Sequence, residues 1–216
     1  MAYAQRTDPL RNFKFKVQIV PVGGLAKHAP NLPNLGFAEM SGLSVTNEMI
    51  PYREGGMNTH PHKMVGQSDF PPVSFSRGVF AMDGAKDTGD KGLWNWQTFI
   101  HAWQSGVATG STGTNTAADD NNYRCDIIVK VYDHPYTKTG TSYLDSDIAL
   151  NTDILPSGTN EARLAFKLFN AWPGVFAMNG LNATDNGIMI QQMTIHHEGF
   201  YVAFNEADIK AIATTR

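Results

Sequence analysis

Short stretches of alternating apolar and polar residues recur along the chain and predict a protein built mainly from β-strands. In the first, Phe13, Phe15, Val17 and Ile19 fall on one face while Lys14, Lys16 and Gln18 fall on the other. One face is therefore buried and the other meets water or a partner. Val20 to Gly36 carries turn signals at Pro21, Gly23, Gly24, Pro30 and Pro33 and predicts a long loop. Gly36 to Tyr52 resumes extended structure, with Ser41 and Gly42 marking a bulge or bend. Pro51 to Gln67 is polar, is loosened by Gly55 and Gly56, and predicts a loop too long for a tight turn. Pro71 to Phe80 reads as a strand with Val73, Phe75 and Val79 on one side, where Arg77 is a polar exception.

One helix is clear: it begins near Asp90 and sets Leu93, Trp96, Phe99, Ile100 and Trp103 on a stripe that packs against a sheet. Gln104 to Asn122 is rich in Gly, Ser, Thr and Asn and predicts a loop. Arg124 to Asp133 and Ala162 to Phe169 alternate well and predict a hairpin across a polar insertion, His134 to Glu161. Gly187 to His197 is the last clear strand, and Asn205 to Ala213 predicts a short helix capped by Asn205.

A content of 42% hydrophobic and 17% charged residues, with 20 Gly and 11 Pro, favours sheet over a helix bundle. We read residues 1–216 as one domain with insertions at about 104–122 and 134–161. A net charge of -3 supplies no basic excess for gripping phosphates, so binding of nucleic acid by counterion release is not expected. Cys125 stands alone in the apolar run CDIIVKVY, which predicts a buried small hydrophobe folded under reducing conditions. The start MAYAQRTDPL lacks a signal-peptide core, and no stretch approaches the roughly 18 apolar residues of a membrane helix.

Candidate chemistry is thin. His60 and His62 are two apart and could converge on a metal, but nothing supplies a further ligand at a telling spacing. His196 and His197, beside Glu198, point to opposite faces if they lie on a strand. No nucleophile elbow, phosphate loop or dinucleotide fingerprint occurs. Arg11, Lys14 and Lys16 form a small basic patch without interleaved aromatic residues, which favours a solvated or partner-facing edge over a nucleic-acid site. We expect no catalytic residues, metal or cofactor. The alternative from another class is a metal-dependent enzyme using His60, His62 and one of His196 or His197.

Six fragments in order, DPLRNFKFKVQI (Asp8 to Ile19), GFAEMSGLSV (Gly36 to Val45), EMIPYREGG (Glu48 to Gly56), LWNWQ (Leu93 to Gln97), FNAWPGVF (Phe169 to Phe176) and MTIHHEGF (Met193 to Phe200), resemble one family. It is the inner tail tube protein of contractile-tailed phages and related contractile injection systems. The resemblance implies a β-barrel or sandwich with one packed helix, whose strands join neighbouring subunits into a ring of six. Rings stack into a hollow tube inside a contractile sheath. It implies sheath, tape-measure, tail terminator and baseplate proteins as partners, transient passage of DNA or effector cargo, and no membrane anchor. The expected place is a virion tail, or an extracellular or cytoplasmic contractile particle, assembled in the bacterial host cytoplasm.

The resemblance further implies that the loop from Tyr52 to Lys63 packs on the adjacent ring. The ring-stacking residues are then Met49, Ile50, Pro51, Tyr52, Arg53, Glu54, Gly55, Gly56 and Met57. Phe13, Lys14, Phe15, Lys16 and Val17 are the expected intersubunit sheet contact, and Glu48 is a lumen candidate. The two insertions exceed the compact family pattern and keep open a tube-initiating baseplate protein.

Overall fold

The alternating pattern becomes burial within the first strand. Val17 and Ile19 turn inward at 3% and 1% exposure, while Lys16 and Gln18 face outward. Our computed structural model describes residues 10, 12–29, 32, 35–56, 59–79, 90–105, 122–132, 162–182, 184 and 186–213. The strands are β1 (Phe15–Val20), β2 (Glu39–Ser41), β3 (Thr46–Tyr52), β4 (His62–Asp69), β5 (Val73–Gly78), β6 (Cys125–Tyr132), β7 (Ala162–Met178), β8 (Ile190–His196) and β9 (Gly199–Ala203). The helices are α1 (Gly23–His28), α2 (Asp90–Ser105) and α3 (Glu206–Ala211), so the fold is mainly β.

Among the described residues seven strands form one sheet in the order β1-β6-β7-β8-β5-β2, with β9 also on β7, while β3 and β4 pair only with each other. The expected hairpin of β6 and β7 is present and antiparallel. β7 is the spine of the sheet. The first part of its 17 residues pairs with β9 and the second with β8, so β8 and β9 act as one interrupted strand along it. At the interruption Asn170 takes φ 50, a left-handed conformation that Asn tolerates better than most residues. Its side chain donates to Glu198 Oε2 at 2.6 Å, Arg124 pairs with Glu198 Oε1 at 2.6 Å, and the Glu198 amide donates to the Phe169 carbonyl at 3.1 Å. These bonds hold the step in register. Four residues further on, the missing Cβ of Gly174 admits the His196 ring, which stacks on Trp172 with centroids 4.7 Å apart.

The main core lies on the face of the sheet that carries Ile127, Val129, Leu168, Phe75 and Met193, and α2 adds Leu93, Trp96 and Phe99 to it. Trp103, the last residue of the predicted stripe, is 52% exposed and meets the Tyr123 ring at 4.8 Å instead. On the opposite face of β6, β7 and β9, α3 packs Ile209 and Ile212 against Ile128, Ala165 and Ala203. Lys167 reads as a polar-face residue in the sequence, yet it is only 2% exposed beneath α3. It pairs with Asp126 at 3.0 Å, and its Nζ donates to the Ala213 carbonyl at 3.1 Å, where the end of a helix favours a cation.

Four expectations need correction. The predicted loop Val20 to Gly36 contains α1, which forms because Leu25 is fully buried in the core. The predicted loop Pro51 to Gln67 contains most of β4, a strand without the apolar alternation that would betray it. Gly187 to His197 is not the last strand, since β9 follows the step. Asn205 sits at the N-cap of α3 but its side chain makes no capping bond. Most of the two expected insertions, residues 106–121 and 133–161, lies outside the described residues.

Candidate assembly interface

Among the described residues, two features of the fold leave backbone and apolar surface without internal partners. The first is a pair of sheet edges. Among the described residues β1 pairs only with β6 and β2 only with β5, so each presents one unpaired row of amides and carbonyls. Of the five residues expected in an intersubunit sheet, Phe15, Lys16 and Val17 lie in β1. Lys14 extends the ladder, its carbonyl accepting from the Tyr132 amide at 3.0 Å. Phe13 is instead in a turn ahead of the strand, 64% exposed, because the ladder with β6 stops short of it.

Between these edges runs a groove of about 670 Å³. Phe13, Phe15, Glu39 and Met40 form its sides, and Val129, Val131, Leu164 and Phe166 contribute to its lining. No sequence signal marks it, since four separate stretches of chain meet there.

The second feature is the β3–β4 hairpin. Every residue of β3 is exposed, and in β4 only Gly66 is partly covered. The hairpin carries Met49, Ile50, Tyr52, Met64 and Val65 in the open, with Val65 80% exposed. Met49 pairs with Val65 and Ile50 with Met64 across the ladder. Of the expected stacking residues, Met49, Ile50, Pro51 and Tyr52 lie in β3, Arg53 and Glu54 leave it, and Gly55 and Gly56 form the turn. Met57 lies outside the described residues. Glu48 is exposed beside a ladder irregularity between Asn47 and Met49. The bend expected at Ser41 and Gly42 is present. Gly42, at φ +92, separates β2 from β3, and beyond it neither face is buried. A Cβ at Gly42 would stand 2.9 Å from the Pro72 carbonyl oxygen, which reserves the bend for glycine.

The hairpin joins the body at Phe70, whose ring packs 5.9 Å from Phe200 and 6.0 Å from His197. Burial holds the His197 pKa below its ordinary 6.5, an effect opposed by the carbonyls of Gly199 and Pro71 and reinforced by His196. The folded protein therefore keeps His197 neutral where the unfolded chain takes up a proton. Stability should fall as pH drops below about 6.5 and be regained above it. Urea midpoints at pH 7.5 and 5.0 check this. His197→Phe, which keeps a ring against Phe70, should flatten that part of the profile.

Among the described residues no three His, Cys, Asp or Glu side chains gather as a metal site. The His60 and His62 rings stand edge to face at 6.3 Å, and His60 Nδ1 is engaged by Thr59 Oγ1 at 3.0 Å. His196 lies against Trp172, and His197 is buried beside Phe70. Burial first and Asp126 second push the Cys125 thiol well above its usual pKa, so it stays protonated and unreactive. No described helix is long and apolar enough to cross a membrane.

Residues 11–201 match the family model of the T4-like virus tail tube protein gp19. Solved structures share the fold. A chain in an extracellular contractile injection system, the PVC sheath-tube complex in its extended state, is 18% identical, with 91% of this chain and 93% of that chain covered and a TM-score of 0.54. A chain of the anti-feeding prophage cap, the AFP tube terminating cap, is 19% identical, with 95% and 100% covered and a TM-score of 0.56. One in the anti-feeding prophage baseplate is 17% identical, with 92% and 97% covered and a TM-score of 0.53. Among curated proteins none gives a significant match. With the family model spanning all but the ends of the sequence, the chain belongs to the T4-like virus tail tube protein family.

Proposed function

We propose that this tail tube subunit assembles with copies of itself into rings of six, which stack into the hollow inner tube of a contractile tail. The whole chain serves as one tail-tube domain, and its work is mechanical. Sheath contraction drives the tube through an envelope, and genome or effector cargo passes along the lumen. The observation that carries this reading is the β3–β4 hairpin, exposed on both faces in a chain of the tail tube family. A lone two-stranded hairpin is marginal in water and gains its stability from packing on something else. Open sheet edges have the same need, and copies of the same chain meet both needs at once.

In this reading Met49 to Met57 make the ring-stacking contact, Phe13 to Val17 the sheet contact within the ring, and Glu48 faces the lumen. The net charge of -3 suits a wall past which DNA slides without being held. Sheath, tape-measure, terminator and baseplate proteins complete the particle. A stacking contact that does not close on itself grows a filament, whose length another component must set. The subunit needs no cofactor and carries out no catalysis. It is assembled in the host cytoplasm and works in a virion tail or an extracellular particle. A tube-initiating baseplate protein is the second reading, supported by the likeness to the AFP baseplate chain.

Electron microscopy of the concentrated purified protein separates these readings. Long tubes of uniform width are the expected result, and isolated rings would favour the initiator. A strictly monomeric preparation would overturn both.

A further inference from the structure

We propose that the groove between β1 and β2 is the socket for the β3–β4 hairpin of a second copy of this chain. The inference rests on the self-assembly reading above and gives β4 of the hairpin to the contact within the ring, against Phe13 to Val17 of the next copy, which leaves Met49 to Met57 for stacking.

The two surfaces complement each other in four ways. The groove, at about 670 Å³, is large enough for several side chains and is floored by Val129, Val131, Leu164 and Phe166. The hairpin offers apolar side chains of that kind, and Val65 and Met64, at 80% and 54% exposure, are the most open of its large apolar residues. The groove is also bounded by the two sheet edges whose outer backbone groups have no strand partner among the described residues. An incoming strand can therefore pair as well as pack, which is recognition by strand addition. Among the described residues β4 pairs only with β3, which leaves its outer edge for this. The charges agree too, since Glu39 stands exposed on the groove wall and Lys63 precedes Met64 in β4.

A second copy is the occupant that the family reading favours. A tube repeats one subunit, so grooves and hairpins occur in it at equal stoichiometry. Hairpin and groove are different patches of one chain, so the contact can run head-to-tail from copy to copy, as a tube requires.

The test mixes two single variants, Met64→Cys in the hairpin and Met40→Cys in the groove, and treats the assembled mixture with a short bis-maleimide. Native Cys125 is buried and does not compete. Cross-linked dimers should form from the mixture and from neither variant alone. Hydrogen exchange on the unsubstituted protein gives a second readout, free of any effect of the substitutions. Amides of His62–Asp69 and of the β1 and β2 edges should exchange at least ten-fold more slowly in assembled than in dissociated protein. Tubes without the cross-link and without that protection overturn the socket while leaving the tube reading intact. Cross-linked pairs that never grow into tubes support the socket and count against the tube. Absence of tubes, cross-link and protection overturns both.

Discussion

Removal of Arg53 to Asn58 should leave a folded, soluble protein that no longer forms tubes. Tyr52 pairs with His62 at the end of the ladder, so after the deletion Thr59, His60 and Pro61 make a three-residue connection, a length that hairpins use. Neither strand of the hairpin is buried against the body, so the core keeps its contacts. The change in folding stability should stay within about 0.5 kcal/mol, as for surface changes in general. Assembly responds far more strongly. Residues central to an interface are worth about 2–4 kcal/mol each on removal. At about 1.4 kcal/mol per factor of ten, the protein concentration needed for tubes should rise by roughly 30-fold or more. Sedimentation and microscopy across a concentration series read that shift, while circular dichroism confirms the fold. Normal tubes from the deleted protein would remove the stacking role from this segment.

The largest effect on folding should come from Trp96→Ala. Trp96 is fully buried in the main core, and its Nε1 donates to the Tyr123 carbonyl at 2.8 Å, tying α2 to the approach to β6. Truncating a buried Trp costs about 3–5 kcal/mol in lost burial and residual cavity. Leaving the carbonyl without its donor adds about 1 kcal/mol or more. Domains are stable by only about 5–15 kcal/mol, so the variant should lose much or all of its folded population. Denaturant midpoints under dissociating conditions measure this without the stabilising contribution of assembly. Trp96→Phe is the informative partner, because it keeps most of the ring volume and loses the hydrogen bond. Its cost should be about 1–2 kcal/mol. A Trp96→Ala protein with an unchanged midpoint would mean that α2 is not part of the cooperative core.

Much of this architecture was legible in the residue pattern wherever one face of an element is buried. Val17 and Ile19 in β1, Val73 and Phe75 in β5, and Leu93, Trp96 and Phe99 in α2 repeat at the spacing of their elements because each faces the same core. The pattern fails where that cause is missing. β4 reads HKMVGQSD and has no buried face, so nothing in its composition distinguishes it from a loop. α1 is 6 residues long, too short for a helical period to show among its glycines. β9 was lost because its register restarts after His197 and Glu198, which interrupts the alternation inherited from β8. Lys167 misleads for the opposite reason, since a lysine on the far face of β7 looks solvated until α3 is seen to cover it. The family and its conspicuous REGG segment were readable as words in the sequence. The groove was not, because Phe13, Met40, Val129 and Leu164 become neighbours only through the strand order.

The length of β7 has a mechanical consequence. In the proposed tube, a thrust passed between stacked subunits would load each one, and a fold yields first where its bonds are strained one at a time. The 17 residues of β7 are bonded to β8 and β9 along successive parts of their length, and to β6 over the first part. Force directed along that strand would shear many rungs together instead of unzipping them singly. How β7 is inclined to the direction of travel would then set how much load a copy survives before it buckles.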